Sequence, residues 1–125
     1  MWDRSYTLTV VSATAGEGDP NGEYWDGFGG APDLYVSVRI DGDSIGVTNT
    51  KENSYSPEWY KSFNVRFYRT TSLVLRVYDE DLSANDHALD LSVPDLAGAI
   101  KDGGGSYSKS GNLGITSLDF VIEPR

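Results

Sequence analysis

Apolar residues recur at every second position through most of this chain, and that period confines it to half-buried strands rather than helices. Tyr6, Leu8 and Val10 alternate with Thr7, Thr9 and Val11. Leu34, Val36, Val38 and Ile40 alternate with Tyr35, Ser37 and Arg39, and Phe63, Val65 and Phe67 with Asn64, Arg66 and Tyr68. Leu73, Leu75 and Val77 form a further set, Leu118, Phe120 and Ile122 close the series, and 44–50 and 88–93 carry weaker versions. Between them lie Gly, Asn, Asp, Ser and Pro, with Asp41-Gly42 forming a hairpin signal because both residues tolerate positive φ. The pattern predicts an all-β fold, an antiparallel eight-stranded β-sandwich with one wet and one buried face per sheet. It leaves room for at most one short helix, near 94–101 (PDLAGAIK), and reads 102–114 as a Gly/Ser loop.

Composition narrows the function. At 125 residues the chain is expected to be a single domain, 1–125, with no internal repeat or linker. It has no cysteine and one histidine, His87, which excludes disulfides, thiolate-bound metals and a multi-histidine site. Ten Lys and Arg stand against nineteen Asp and Glu, opposite to the basic stripe of a nucleic-acid-binding domain. No apolar run reaches the ~20 residues that span a bilayer. The N-terminus lacks the features of a signal peptide, which leaves the compartment unknown because the chain is compatible with a domain of a larger protein.

The acidic residues are not evenly spread. Residues 25–36 (WDGFGGAPDLYV) place Asp26 and Asp33 at the entrance to one strand. Residues 78–90 (YDEDLSANDHALD) place Asp79, Glu80, Asp81 and Asp86 at the exit of another, with no Lys or Arg anywhere in 77–100. Two carboxylates about 4 Å apart repel by some 4 kcal/mol at an effective dielectric near 20, so such a cluster requires a counter-charge. A hard divalent cation provides it, and Ca2+ suits this many carboxylates better than Mg2+. An EF-hand is rejected: Ala84 stands where the sharp turn needs Gly, and the flanks read as strand.

These motifs, in this order, resemble the C2 domain, the calcium-dependent lipid-binding β-sandwich. Asp33-Leu34-Tyr35-Val36 matches the family's D-P-Y-V-like strand start. Thr48-Asn49-Thr50 is followed by a turn and strand in which Pro57, Trp59 and Phe63 keep their places, although Tyr60-Lys61 replaces Asn-Glu. Val77-Tyr78-Asp79-Glu80-Asp81 with Asp86 fits the third calcium loop. The resemblance covers roughly 5–93 and extends to the final strand, and the WDGFGGAPD wording is similar to that of bacterial members. It implies Asp26, Asp33, Asp79, Asp81 and Asp86 as carboxylate ligands of Ca2+, with backbone carbonyls near Trp25 and Glu80 completing the shell. Asp19 is a second candidate for the first-loop position, disfavoured by its distance from Asp33. Phosphoinositide specificity is not carried over, because the basic cluster is thin: Lys51 and Lys61, with Arg39 and Arg66 further off.

The function so implied is calcium-dependent docking to an anionic phospholipid membrane surface, with Trp25 and Phe28 as aromatic membrane contacts. The alternatives are a calcium-stabilised protein-interaction or adaptor domain with a protein partner, and a carbohydrate-binding sandwich using Tyr35, Tyr55, Tyr60 and Tyr68. Trp59 reads as a packing anchor. No catalytic residue is expected, since a Ser-His-Asp triad would have only His87 and five crowded carboxylates suit metal better than poised acid–base chemistry. Oligomeric state has no sequence signal.

Overall fold

The computed structural model describes residues 4–25, 30–80 and 87–125. Two four-stranded antiparallel sheets face each other. The first has the order β4-β1-β8-β7, built from β1 (Arg4–Ala15), β4 (Glu58–Phe67), β7 (Gly104–Ser108) and β8 (Ile115–Pro124). The second has the order β3-β2-β5-β6, built from β2 (Leu34–Ile40), β3 (Asp43–Val47), β5 (Leu73–Asp79) and β6 (Leu89–Ser92). The single described helix, α1 (Leu96–Asp102), connects β6 to β7.

The alternation read from the sequence is the alternation of burial. Tyr6, Leu8 and Val10 of β1 meet Leu34, Val36 and Val38 of β2 and Leu73, Leu75 and Val77 of β5 in one core, which Leu118, Phe120 and Ile122 of β8 complete. Two strands run further than their period suggests, because bulges interrupt it. On β1 the register shifts between Val10 and Ser12, and the buried set continues as Ala13 and Ala15. Opposite that shift, Tyr60 of β4 takes φ 48°, an irregularity that lets the strand start at Glu58 with Trp59 buried.

The C-terminal third corrects the expectation of a loop over 102–114. Asp95 caps α1 by accepting from the Gly98 N–H, and Gly103 ends the helix in the left-handed region. The chain then enters β7, which pairs with β8 from Gly104↔Val121 to Ser108↔Ser117. Gly105 lies directly opposite Phe120, whose ring approaches to 2.8 Å of where a Cβ would stand. The aromatic ring thus covers the bare glycine backbone, as edge glycines in sheets require. That pairing depends on residues distant in sequence, so a local reading of Gly103-Gly104-Gly105 finds only flexibility.

Candidate metal centre at the loop end of the sandwich

Antiparallel pairing fixes which loops meet. Ala15, the last residue of β1, pairs with Ile115 at the start of β8. Leu34, the first residue of β2, pairs with Asp79, the last of β5. Loops 16–33, 48–57 and 109–114 and the exit of β5 therefore share one end of the molecule. Backbone hydrogen bonds sew them together: Ala15 N–H donates to the Tyr55 carbonyl at 2.7 Å, and Ser54 N–H to the Pro32 carbonyl at 3.0 Å.

Asp33 and Asp79, 46 residues apart in sequence, meet here. The Asp33 N–H donates to Oδ1 of Asp79 at 3.2 Å, and the Glu80 N–H donates to the Asp33 carbonyl at 2.9 Å. Asp79 is only 2% exposed, and a carboxylate buried that far is held only where hydrogen bonds or a cation offset its desolvation. Asp33 is half-buried and accepts the Asn53 N–H on Oδ1 at 2.6 Å. Asn53 in turn accepts from the Ala31 N–H at 3.1 Å, so one residue braces the approach to β2. Its role was missed in the sequence; the signal available was an Asn in a polar turn, a residue tolerant of the positive φ (51°) it adopts.

Asp26, Asp81, Asp86 and Phe28 lie outside the described residues. Among the described residues no three His, Asp or Glu side chains gather closely enough to hold an ion. What the described part provides is an oxygen-only donor pair, with Glu80 exposed beside it. His87 contacts Asp90 at 3.7 Å, and with no cysteine in the chain the donor chemistry fits a hard cation rather than a soft one.

Three aromatic and acidic expectations are sharpened. Trp25, expected as a membrane contact, is instead a core residue: it is 2% exposed, and its indole Nε1–H donates to the Gly16 carbonyl at 2.9 Å. A large ring inside the sandwich end loses less by packing there than by exposure, so its side chain is not offered to a surface. Trp59 is an anchor, with Nε1–H donating to the Asn49 carbonyl at 2.9 Å. Asp19 is 5% exposed and accepts both the Asn21 and Glu23 N–H groups on Oδ1, each at 2.9 Å, which makes it the staple of the first loop.

The outer face of β2 and β5 carries Tyr35 stacked on Tyr78, with ring centroids 5.1 Å apart. Burial, then Tyr78 and Glu80, raise the Tyr35 pKa above the usual tyrosine value. Beside them Arg76 makes two hydrogen bonds to Asp90, at 3.0 and 3.3 Å, and Arg39 donates to the Gly42 carbonyl at 2.6 Å. The Asp90 carboxylate holds the Arg76 guanidinium protonated still more firmly than usual. With that partner attached, Arg76 contributes little net positive charge to this face.

Comparison with known proteins agrees with this architecture. A family model described as the C2 domain matches residues 4–102. No curated protein matches the chain in sequence. Among solved structures, Extended-Synaptotagmin 2 with its SMP domain and both C2 domains is similar at 20% identity and a TM-score of 0.73, over 98% of this chain and 27% of that one. A calcium-bound structure of the two C2 domains of Extended-Synaptotagmin 2 is similar at 18% identity and a TM-score of 0.70, over 99% of this chain and 46% of that one. A single C2 domain of plant Extended Synaptotagmin 1 is similar at 18% identity and a TM-score of 0.63, over 100% of this chain and 98% of that one. At these identities the likeness is one of fold, and the chain spans about a quarter of the length of the first of these structures.

Proposed function

Because the chain belongs to the C2 domain family, we propose that it binds Ca2+ at its loop end and docks there on an anionic phospholipid surface. The observation that carries this reading is the union of Asp33 and Asp79 through the 3.2 Å hydrogen bond between them. Asp26, Asp33, Asp79, Asp81 and Asp86 are the proposed carboxylate ligands, with the Trp25 and Glu80 carbonyls beside them. Without the ion these acids repel an anionic membrane; the net charge of −9 adds to that repulsion. Ca2+, when bound, supplies the opposite charge and open coordination positions for lipid phosphate oxygens. Asp33 and Asp79 hold two loops in a fixed relation, so neutralising them changes the charge of a surface already shaped to dock.

Phe28 is the proposed aromatic contact with the interface, Trp25 being committed to the core. No catalytic role is proposed for any residue, and no helix among the described residues is long and apolar enough to cross a membrane. Co-sedimentation with phosphatidylserine-containing vesicles tests the reading. Binding that appears with Ca2+ and reverses with chelator is the expected result. Calcium binding without vesicle binding would leave instead a calcium-stabilised domain that recognises protein.

A further inference from the structure

Beside the acidic centre, the same loop end carries a second concavity that shares none of the proposed calcium ligands. It has a volume of about 380 Å³ and is lined by Ala15, Glu17, Tyr24, Tyr55 and Asn112. A smaller cavity of about 220 Å³ adjoins it, sharing Glu17, Tyr24 and Asn112 and adding Glu23. Two tyrosines, 67% and 38% exposed, thus stand over a space whose only other ionisable side chains are carboxylates.

The walls are held from behind. Asn112 accepts the Glu17 N–H on Oδ1 at 3.3 Å, Gly16 N–H donates to the Gly114 carbonyl at 2.8 Å, and the Tyr55 carbonyl receives the Ala15 N–H at 2.7 Å. The Trp25 indole and the Asp19 staple fix the loop that bears Tyr24. Three loops are therefore tied into one rim, and the two rings project from a braced backbone.

We propose that this cavity binds a methylated ammonium cation. Tyrosine faces attract a weakly hydrated cation through the ring quadrupole, and quaternary ammonium groups are the usual occupants of aromatic sites of this kind. The carboxylates decide the sign of the ligand: Glu17 and Glu23 are acceptor-only groups, and no Lys or Arg lines either cavity to receive an anion. A neutral sugar would require several donors and acceptors, whereas the Asn112 amide is already partly engaged. The trimethylammonium of a choline lipid and that of a soluble methylated amine present the same chemistry. Calcium takes no part in this site.

The test is an NMR titration of the full chain with tetramethylammonium chloride in the presence of chelator. Saturable shifts centred on Glu17, Tyr24, Tyr55 and Asn112 are expected. Tyr24→Leu and Tyr55→Leu should each weaken binding about three- to fivefold, while Tyr24→Phe and Tyr55→Phe stay within about twofold because the ring face is retained. The rings are exposed, so an unchanged melting temperature verifies that each variant folds. If the Leu variants also lose partition onto phosphatidylcholine vesicles, the cation is lipid-borne; unchanged partition assigns a soluble source. The absence of saturable shifts, equal losses in the Phe and Leu variants, or saturable shifts with glucose but not with tetramethylammonium would overturn the assignment.

Discussion

Replacing Asp19 with alanine separates a structural carboxylate from a metal-binding one. Its Oδ1 accepts two loop amides, from Asn21 and Glu23, each at 2.9 Å, and the side chain itself is 5% exposed. A hydrogen bond to a charged acceptor is worth about 1.5–3 kcal/mol net, but Asn21 and Glu23 are exposed, so water can take up the released N–H groups in part. About 1 kcal/mol for each bond is then the fair figure, or about 2 kcal/mol in total. With about 2.1 cal/mol/K of unfolding entropy per residue, a chain of 125 residues loses about 8 °C of melting temperature for that change. Thermal unfolding followed by far-UV circular dichroism reads it directly. Asp19→Asn keeps the accepting oxygen and should lose about half as much. The rise in melting temperature caused by calcium should be the same in Asp19→Ala as in the parent chain. A fall below about 2 °C would refute the staple, and a lost calcium response would make Asp19 a ligand.

Two further outcomes follow from buried hydrogen bonds and from charge. Thr48 is 3% exposed and accepts the Val36 N–H on Oγ1 at 2.9 Å, so Thr48→Val strands a strand amide and should cost about 1–3 kcal/mol in urea unfolding, with Thr48→Ser recovering most of it. A loss under about 0.5 kcal/mol would contradict that role. Tyr35 should ionise above the ordinary tyrosine range, measured as the absorbance titration missing from Tyr35→Phe, and Glu80→Gln should draw its midpoint down. Because the folded-state pKa lies above the unfolded one, its stabilising contribution is present below the unfolded value of 10.0 and is lost as pH rises through the folded value. A Tyr35 midpoint at or below the ordinary value would contradict the packing against Tyr78 and Glu80.

The strands legible in the sequence were those whose period runs unbroken. Leu34–Ile40 emerges with its observed bounds, and Leu73–Asp79 differs only where the last two residues carry the acidic motif. Where a bulge resets the period, at Val10–Ser12 and at Tyr60, the alternation rule stops short of the strand's real end. β7 was hidden for a different reason: its glycines gain their place from Phe120 across the sheet, a contact absent from any local window. The convergence of Asp33 with Asp79 was legible because both lie at the ends of clearly periodic strands. The burial of Trp25 was not, since a tryptophan among Gly and Asp reads as exposed until the Gly16 carbonyl is seen to receive its N–H.

The central claim is that the acids at the start of β2 and the exit of β5 hold a calcium ion between them. Thermal unfolding across a calcium titration, in the parent chain and in the Asp79→Asn, Asp81→Asn double variant, tests it most directly. At a hundredfold excess over the dissociation constant the parent should gain about 2.7 kcal/mol, or about 10 °C, by preferential binding to the folded state. The double variant should lose most of that rise. A parent chain indifferent to calcium, or a double variant that responds as fully as the parent, would contradict the account.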